Sequence, residues 1–227
     1  LGFGTGNIKD NKMEALADNG NGNYSYIDSR YEARKVLVEE LGGNFFTVAK
    51  DVKFQLEFNP EYIKGYRLIG YENRLMNDED FEDDTKDGGE IGAGHRVTVL
   101  YEIVDKDSPM DIGNDLKYQN STSKGSDELL TVSVRYKEPN ADTSKELNYP
   151  VKEDSVKKEM SDNMKFATAI AETGMLLRDS EYKKNSSYEN VLELLDSISD
   201  IKSDRDKLEF MLLVNKIMDL NKDIKKE

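Results

Sequence analysis

Residues 77–90 read Asn-Asp-Glu-Asp-Phe-Glu-Asp-Asp-Thr-Lys-Asp-Gly-Gly-Glu, and eight of these fourteen side chains are carboxylates. Closely spaced hard oxygen donors are what Ca²⁺ takes. An EF-hand loop laid on Asp83, Thr85, Asp87 and Gly88 puts Gly94 at the twelfth position, where a bidentate glutamate should close the site. No helical periodicity flanks the stretch. The expectation is a solvated hairpin or disordered loop, with calcium regulation through residues 77–90 as a competing reading.

Glu90 is followed five residues later by His95, the sole histidine of the chain. If a turn brought the two together they would form an acid–base pair, the minimal equipment of a carboxylate-dependent hydrolase. A hydrogen-bonded structural histidine is the plainer reading. With one histidine and no cysteine a zinc site would need carboxylates alone from elsewhere. Ser121 and Ser123 lack a nucleophile-elbow context. Among 46 acidic residues, choosing two for glycoside hydrolysis would be arbitrary. Tyr62, Tyr66 and Tyr71, near Arg67 and Arg74, read first as core packing with snorkelling arginines, and second as a binding face. No catalytic, cofactor-binding or metal-ligating residue is assigned.

The opening Leu1-Gly2-Phe3-Gly4-Thr5-Gly6 invites comparison with phosphate cradles. A Gly-x-Gly-x-x-Gly fingerprint begun at Gly2 ends on Asn7, and one begun at Gly4 ends on Lys9. The Gly-Lys-Ser/Thr of a P-loop is absent. The stretch is expected to be a strand-to-helix turn.

A formal charge of −14 and a pI near 4.7 repel phosphate backbones, so nucleic acid is excluded, and divalent cations or basic protein partners suit the surface better. The absence of cysteine removes disulfides and thiolate chemistry and leaves the compartment open. No apolar run reaches the length of a membrane span.

The hydrophobic period changes twice along the chain, which predicts an α+β protein in three parts. Residues 1–45 read as βαβα. Met13, Leu16 and Ala17 share one helical face, Tyr24 to Ile27 form a short strand, and Ser29 with Glu32 makes a capping box before the Ala33, Val36, Leu37, Leu41 stripe. Such a piece calls for a parallel sheet. Residues 46–150 alternate instead, at Val52 to Phe58, Val97 to Ile103 and Leu130 to Tyr136, with a weaker copy at Tyr66 to Gly70. That pattern predicts an antiparallel β-sandwich. Residues 151–227 are helical and are expected to pack on the sandwich. One face carries Met160, Met164, Ala167, Ala171 and Met175; Ser186 and Glu189 suggest a second capping box; Leu208, Met211, Leu212 and Met218 mark a third helix.

Residues 1–41 resemble the closing strands and helices of a von Willebrand factor type A domain, a Rossmann-like fold. YRLIGYENR (residues 66–74) and GEIGAGHRVTVLYEI (residues 89–103) resemble the uncharacterised region that follows the type A domain in bacterial YfbK-like proteins. The resemblance implies a parent domain that grips a protein carboxylate through Mg²⁺. Its metal motif would lie upstream of Leu1, so no cofactor is expected in this fragment and no ligand residue transfers to it. It also implies that residues 1–45 pack on the sandwich, pair with another chain or are poorly ordered. The function expected is a non-enzymatic protein-binding, adhesion or scaffold module of a cell-envelope or secreted protein, its oligomeric state left open.

Overall fold

The computed structural model describes residues 1–4, 6–20, 22–71, 74–109 and 125–224, which fall into two compact units, residues 1–153 and 154–227. The α+β class holds: helices are joined to antiparallel sheets.

The first unit opens on a parallel pair, β1 (Gly2–Phe3) against β2 (Tyr26–Ile27), with Gly2 opposite Tyr26 and Phe3 opposite Ile27. Helix α1 (Asp10–Asn19) crosses between them. Gly4 and Gly6 have φ of 81° and 104°, the left-handed region open to glycine. A Cβ on Gly2 would lie 2.6 Å from the Tyr24 hydroxyl and 2.7 Å from Ile8 Cδ1. The Tyr26 hydroxyl donates to the Gly4 carbonyl at 2.6 Å. The opening glycines therefore serve a tight turn, as their spacing suggested. The Tyr24 hydroxyl donates to Asp10 at 2.5 Å, and this bond, with minor burial and charge effects, pushes its pKa up to about 12.

The Ser29 hydroxyl accepts from the Glu32 N–H at 3.1 Å, so the N-cap stands where the sequence placed it. The helix it starts is not uniform. A regular turn α2 (Arg30–Arg34) gives way to a π-helical turn over Lys35–Glu39, and α3 (Leu41–Phe45) runs through Gly42 and Gly43 rather than stopping there. The reason lies on the neighbouring strand β5 (Gly89–Gly92). A Cβ on Gly92 would overlap the Gly43 carbonyl, and a Cβ on Gly43 would overlap the His95 ring. Both glycines are buried there, and they let α3 and β5 approach within backbone contact. The Ala93 N–H donates to the Phe46 carbonyl at 2.8 Å across the same seam.

The main sheet runs β5–β3–β7–β8, all antiparallel, with β3 Thr47–Phe58, β7 Glu128–Lys137 and β8 Lys145–Lys152. A second antiparallel pair joins β4 (Ile63–Ile69) to β6 (Leu100–Asp105). Phe58 stacks on Tyr66 with centroids 4.1 Å apart, and Tyr101 lies 5.7 Å from Phe58. These three rings join the end of β3 to the second pair. Tyr66 is thus a packing residue. Arg67 donates from Nε to Glu102 at 3.0 Å on the neighbouring strand. Tyr71, with φ of 57°, is exposed.

Strand β6 begins at Leu100, so Val97 and Val99 precede it. β8 had no clear signal: Pro150 sits inside it opposite Thr131, a residue confined to sheet edges because it lacks an N–H, and β8 is the edge.

In the second unit, Ser161 caps α4 (Asp162–Leu177) and Ser187 caps α5 (Tyr188–Asp196) by accepting from Asn190 N–H at 3.2 Å. The cap is one residue beyond the Ser186 that the sequence suggested. Asp204 accepts from Lys207 N–H at 3.1 Å ahead of α6 (Arg205–Ile224). The core joins Ala169, Val191, Leu195, Ile198, Ile201 and Val214, with Phe166 edge-on to Phe210 at 5.6 Å. Met160 and Met164 are exposed, so α4 buries Ala169, Thr173 and Met175 rather than the full methionine stripe. No helix among the described residues is long and apolar enough to cross a membrane.

Candidate functional site

The polar chemistry of the first unit gathers where the acidic stretch meets β3 and β7. A β-bulge interrupts β3 at Asp51, whose φ of 51° is left-handed; aspartate tolerates this better than most residues. Gly88 lies against it: a Cβ there would fall 2.6 Å from the Asp51 carbonyl carbon. The bulge resets the register, so Val52 and Lys53 are both buried.

Lys53 is 3% exposed, a cation taken out of water. Its Nζ donates to the Asp80 carbonyl at 3.1 Å and to the Asp83 carbonyl at 2.5 Å. Lys137 Nζ donates to the Asp84 carbonyl at 2.9 Å and pairs with Asp51 Oδ2 at 2.7 Å. Arg135 pairs with Asp84 at 3.2 Å and donates to Ser144 Oγ at 2.6 Å, while the Ser144 hydroxyl donates to Asp84. Phe81 is buried within the stretch. The acidic residues therefore form a structured segment seated on the sheet, which corrects the expectation of a solvated loop. The physical reason is the register, which aims three cations from the polar rows of β3 and β7 at it.

This seating bears on calcium. Three main-chain carbonyls of the stretch accept from lysine ammonium groups and are to that extent engaged. Asp83 accepts from the Thr85 hydroxyl at 2.7 Å and the Thr85 N–H at 2.8 Å. The carboxylates that do converge are Asp51, Asp87 and Glu90, with ligand oxygens within 4.8 Å of one another. Three carboxylates supply at most six of the six to eight oxygens calcium takes, and Asp51 is already engaged by Lys137.

Electrostatics divides these groups. The Ser144 hydroxyl, with Arg135 adding to it, holds the Asp84 carboxyl below its usual range against the effect of burial. The Thr85 hydroxyl does the same for Asp83. Burial pushes Asp51 up, but Lys137 and the Gly88 N–H outweigh it and leave the carboxyl lowered. Glu90 goes the other way: burial first, then Asp87 and Asp51, raise it. A carboxyl raised on folding opposes the fold while charged, and this cost is relieved as pH falls through its folded value.

Among the described residues His95 does not join this acidic group. Its ring rests on Gly43, and its main-chain N–H donates to the Gly92 carbonyl at 3.0 Å. Glu90 belongs with Asp51 and Asp87, and His95 with the α3–β5 seam. Ser121 and Ser123 lie outside the described residues. Sequence reasoning missed Lys53, Arg135 and Lys137. No signal singles them out in the sequence, because a cation between apolar residues is the ordinary pattern of a half-buried strand.

A family profile described as "Uncharacterized protein YfbK, C-terminal" matches residues 43–220. The chain belongs to this family. The YfbK C-terminal region so defined includes both antiparallel sheets and the helical unit up to residue 220, and begins at the glycine on which His95 rests. Over 195 residues the chain is also 40% identical to the uncharacterized protein YfbK of Escherichia coli (strain K12), covering 84% of this chain and 33% of that protein. It thus spans about a third of the length of the curated relative it matches. No solved structure matches it.

Proposed function

We propose that residues 1–45 belong to a type A domain completed by a preceding part of the protein, and that the YfbK C-terminal region is its non-enzymatic scaffold. The whole would be a protein-binding or adhesion module of a cell-envelope or secreted protein. One observation carries this reading: the parallel pair β1–β2 has only two residues per strand, yet Phe3 is 62% and Leu16 68% exposed beside it. Parallel sheets are stable when helices and further strands cover them on both faces. A larger sheet would supply that cover, and the greater length of the relative leaves room for it. Mg²⁺ would be held by the other part of that domain, since the resemblance transfers no metal ligand to this chain.

The charge of −14 supports a protein ligand over nucleic acid. A hydrolase built on Glu90 and His95 finds less support, because the acidic group that Glu90 joins does not include the histidine. The test is affinity capture with the longer protein immobilised in Mg²⁺ or in chelator. Retention of a protein partner, lost on chelation, is the expected result. Retention of none under either condition removes the reading.

A further inference from the structure

Residues 77–88 contain one short 3₁₀ turn, Asp78–Asp80, and no strand pairing. Their attachments to the sheet are almost wholly polar. Lys53 holds the carbonyls of Asp80 and Asp83, Lys137 holds that of Asp84, and Arg135 holds the Asp84 carboxylate. Phe81 is the buried apolar anchor. The ladder beneath is continuous without them: Phe54 to Phe58 pair with Val134 to Leu130, and β7 pairs with β8 along its length.

We propose that residues 77–88 form an ionically latched strap, which lifts from the sheet as a unit while β3, β7 and β8 stay paired, uncovering Lys53, Arg135 and Lys137. Local opening is drawn from segments with few apolar contacts, and this one has Phe81 alone to set against the loss of its charged bonds. The ion pair of the latch, Arg135–Asp84, is partly exposed, its side chains 20% and 37% accessible, whereas Lys137–Asp51 lies within the sheet between β7 and β3. Salt therefore reaches the latch in part. When the strap lifts, Lys53 loses both carbonyls it holds, while Lys137 keeps Asp51 and Arg135 keeps Glu146 within the sheet. Closed, the strap's own backbone and the Asp84 carboxylate engage all three cations. The inference does not depend on residues 1–45 belonging to a type A domain.

Amide hydrogen exchange on the full chain tests this. The direct reporter is the Gly88 amide, whose acceptor Asp51 lies on β3. The amides of Phe81, Thr85 and Lys86, whose acceptors Asp78 and Asp83 lie within the strap, report its loosening once released, all read against the β3–β7 ladder. Between about 0.05 and 1 M NaCl, strap protection is expected to fall several-fold while ladder protection holds. In Asp84→Ala the strap should lose about tenfold or more at low salt, again with the ladder intact. Strap and ladder losing protection together would overturn the proposal by making the segment part of the cooperative core. Strap protection indifferent to salt would overturn it too, and the salt series stands on the unaltered chain even if Asp84→Ala does not fold.

Discussion

Gly92→Ala is expected to destabilise the first unit by several kcal/mol, since an added methyl there has nowhere to go. Overpacking a well-filled site costs about 1–3 kcal/mol, and more when the obstacle is backbone. Here the obstacle is the Gly43 carbonyl, and behind Gly43 stands the His95 ring. Relief requires α3 to back away from β5, which breaks the Ala93–Phe46 hydrogen bond and opens the seam between helix and sheet. A loss of about 3 kcal/mol corresponds to roughly 6–12 °C in a domain of 150–250 residues. Gly89→Ala is the matched control on the same strand. A Cβ at Gly89 meets nothing within 4 Å and its φ is not left-handed, so the change should stay within about 0.5 kcal/mol. Thermal melts of both variants decide the matter: equal melting temperatures would mean that the close approach of Gly43 and Gly92 does not hold the seam.

Leu195→Ala should cost about 2–5 kcal/mol in the helical unit. Leu195 is wholly buried beside Val191, Ile198 and Val214, on a helix, α5, that packs against both α4 and α6. With so few core residues, one truncation removes a large share of the apolar burial on which a unit this small relies. Leu212→Ala, at an exposed position of α6, should cost little, although in the sequence Leu212 looks as much a core residue as Leu195 does. Urea unfolding followed by helical ellipticity measures both. Comparable costs at the two sites would contradict the packing described.

That pair of leucines shows what the sequence could and could not convey. Periodicity found three helices because amphipathic faces repeat locally, but the exact face depends on where the partner helices lie. Hence Val214 is buried where Leu212 was expected, and Ser187 caps α5 instead of its neighbour Ser186. The Ser29 cap and the parallel β1–β2 pair were legible because each rests on a few adjacent residues. β8 was hidden by Pro150, which a strand tolerates only at an edge, and edges are a property of the sheet.

The acidic segment is the clearest case of the same limit. Its composition announced carboxylates and its spacing argued against an EF-hand. The cations that seat it come from positions 53, 135 and 137, brought together by a strand register that a bulge at Asp51 shifts by a residue. A shift of one residue moves every side chain of a strand to the opposite face. Without knowing of the bulge, Lys53 reads as a solvated lysine, not as the buried ammonium holding two carbonyls.

On the proposed reading, residues 1–45 are the closing piece of a domain completed elsewhere in the protein and carried by the folded YfbK C-terminal region. The most direct measurement compares amide exchange over residues 1–45 in this chain and in the longer protein. The account expects protection at β1, α1 and β2 to rise by about tenfold or more in the longer protein, with the β3–β7 ladder unchanged. Equal protection of residues 1–45 in the two proteins would contradict it.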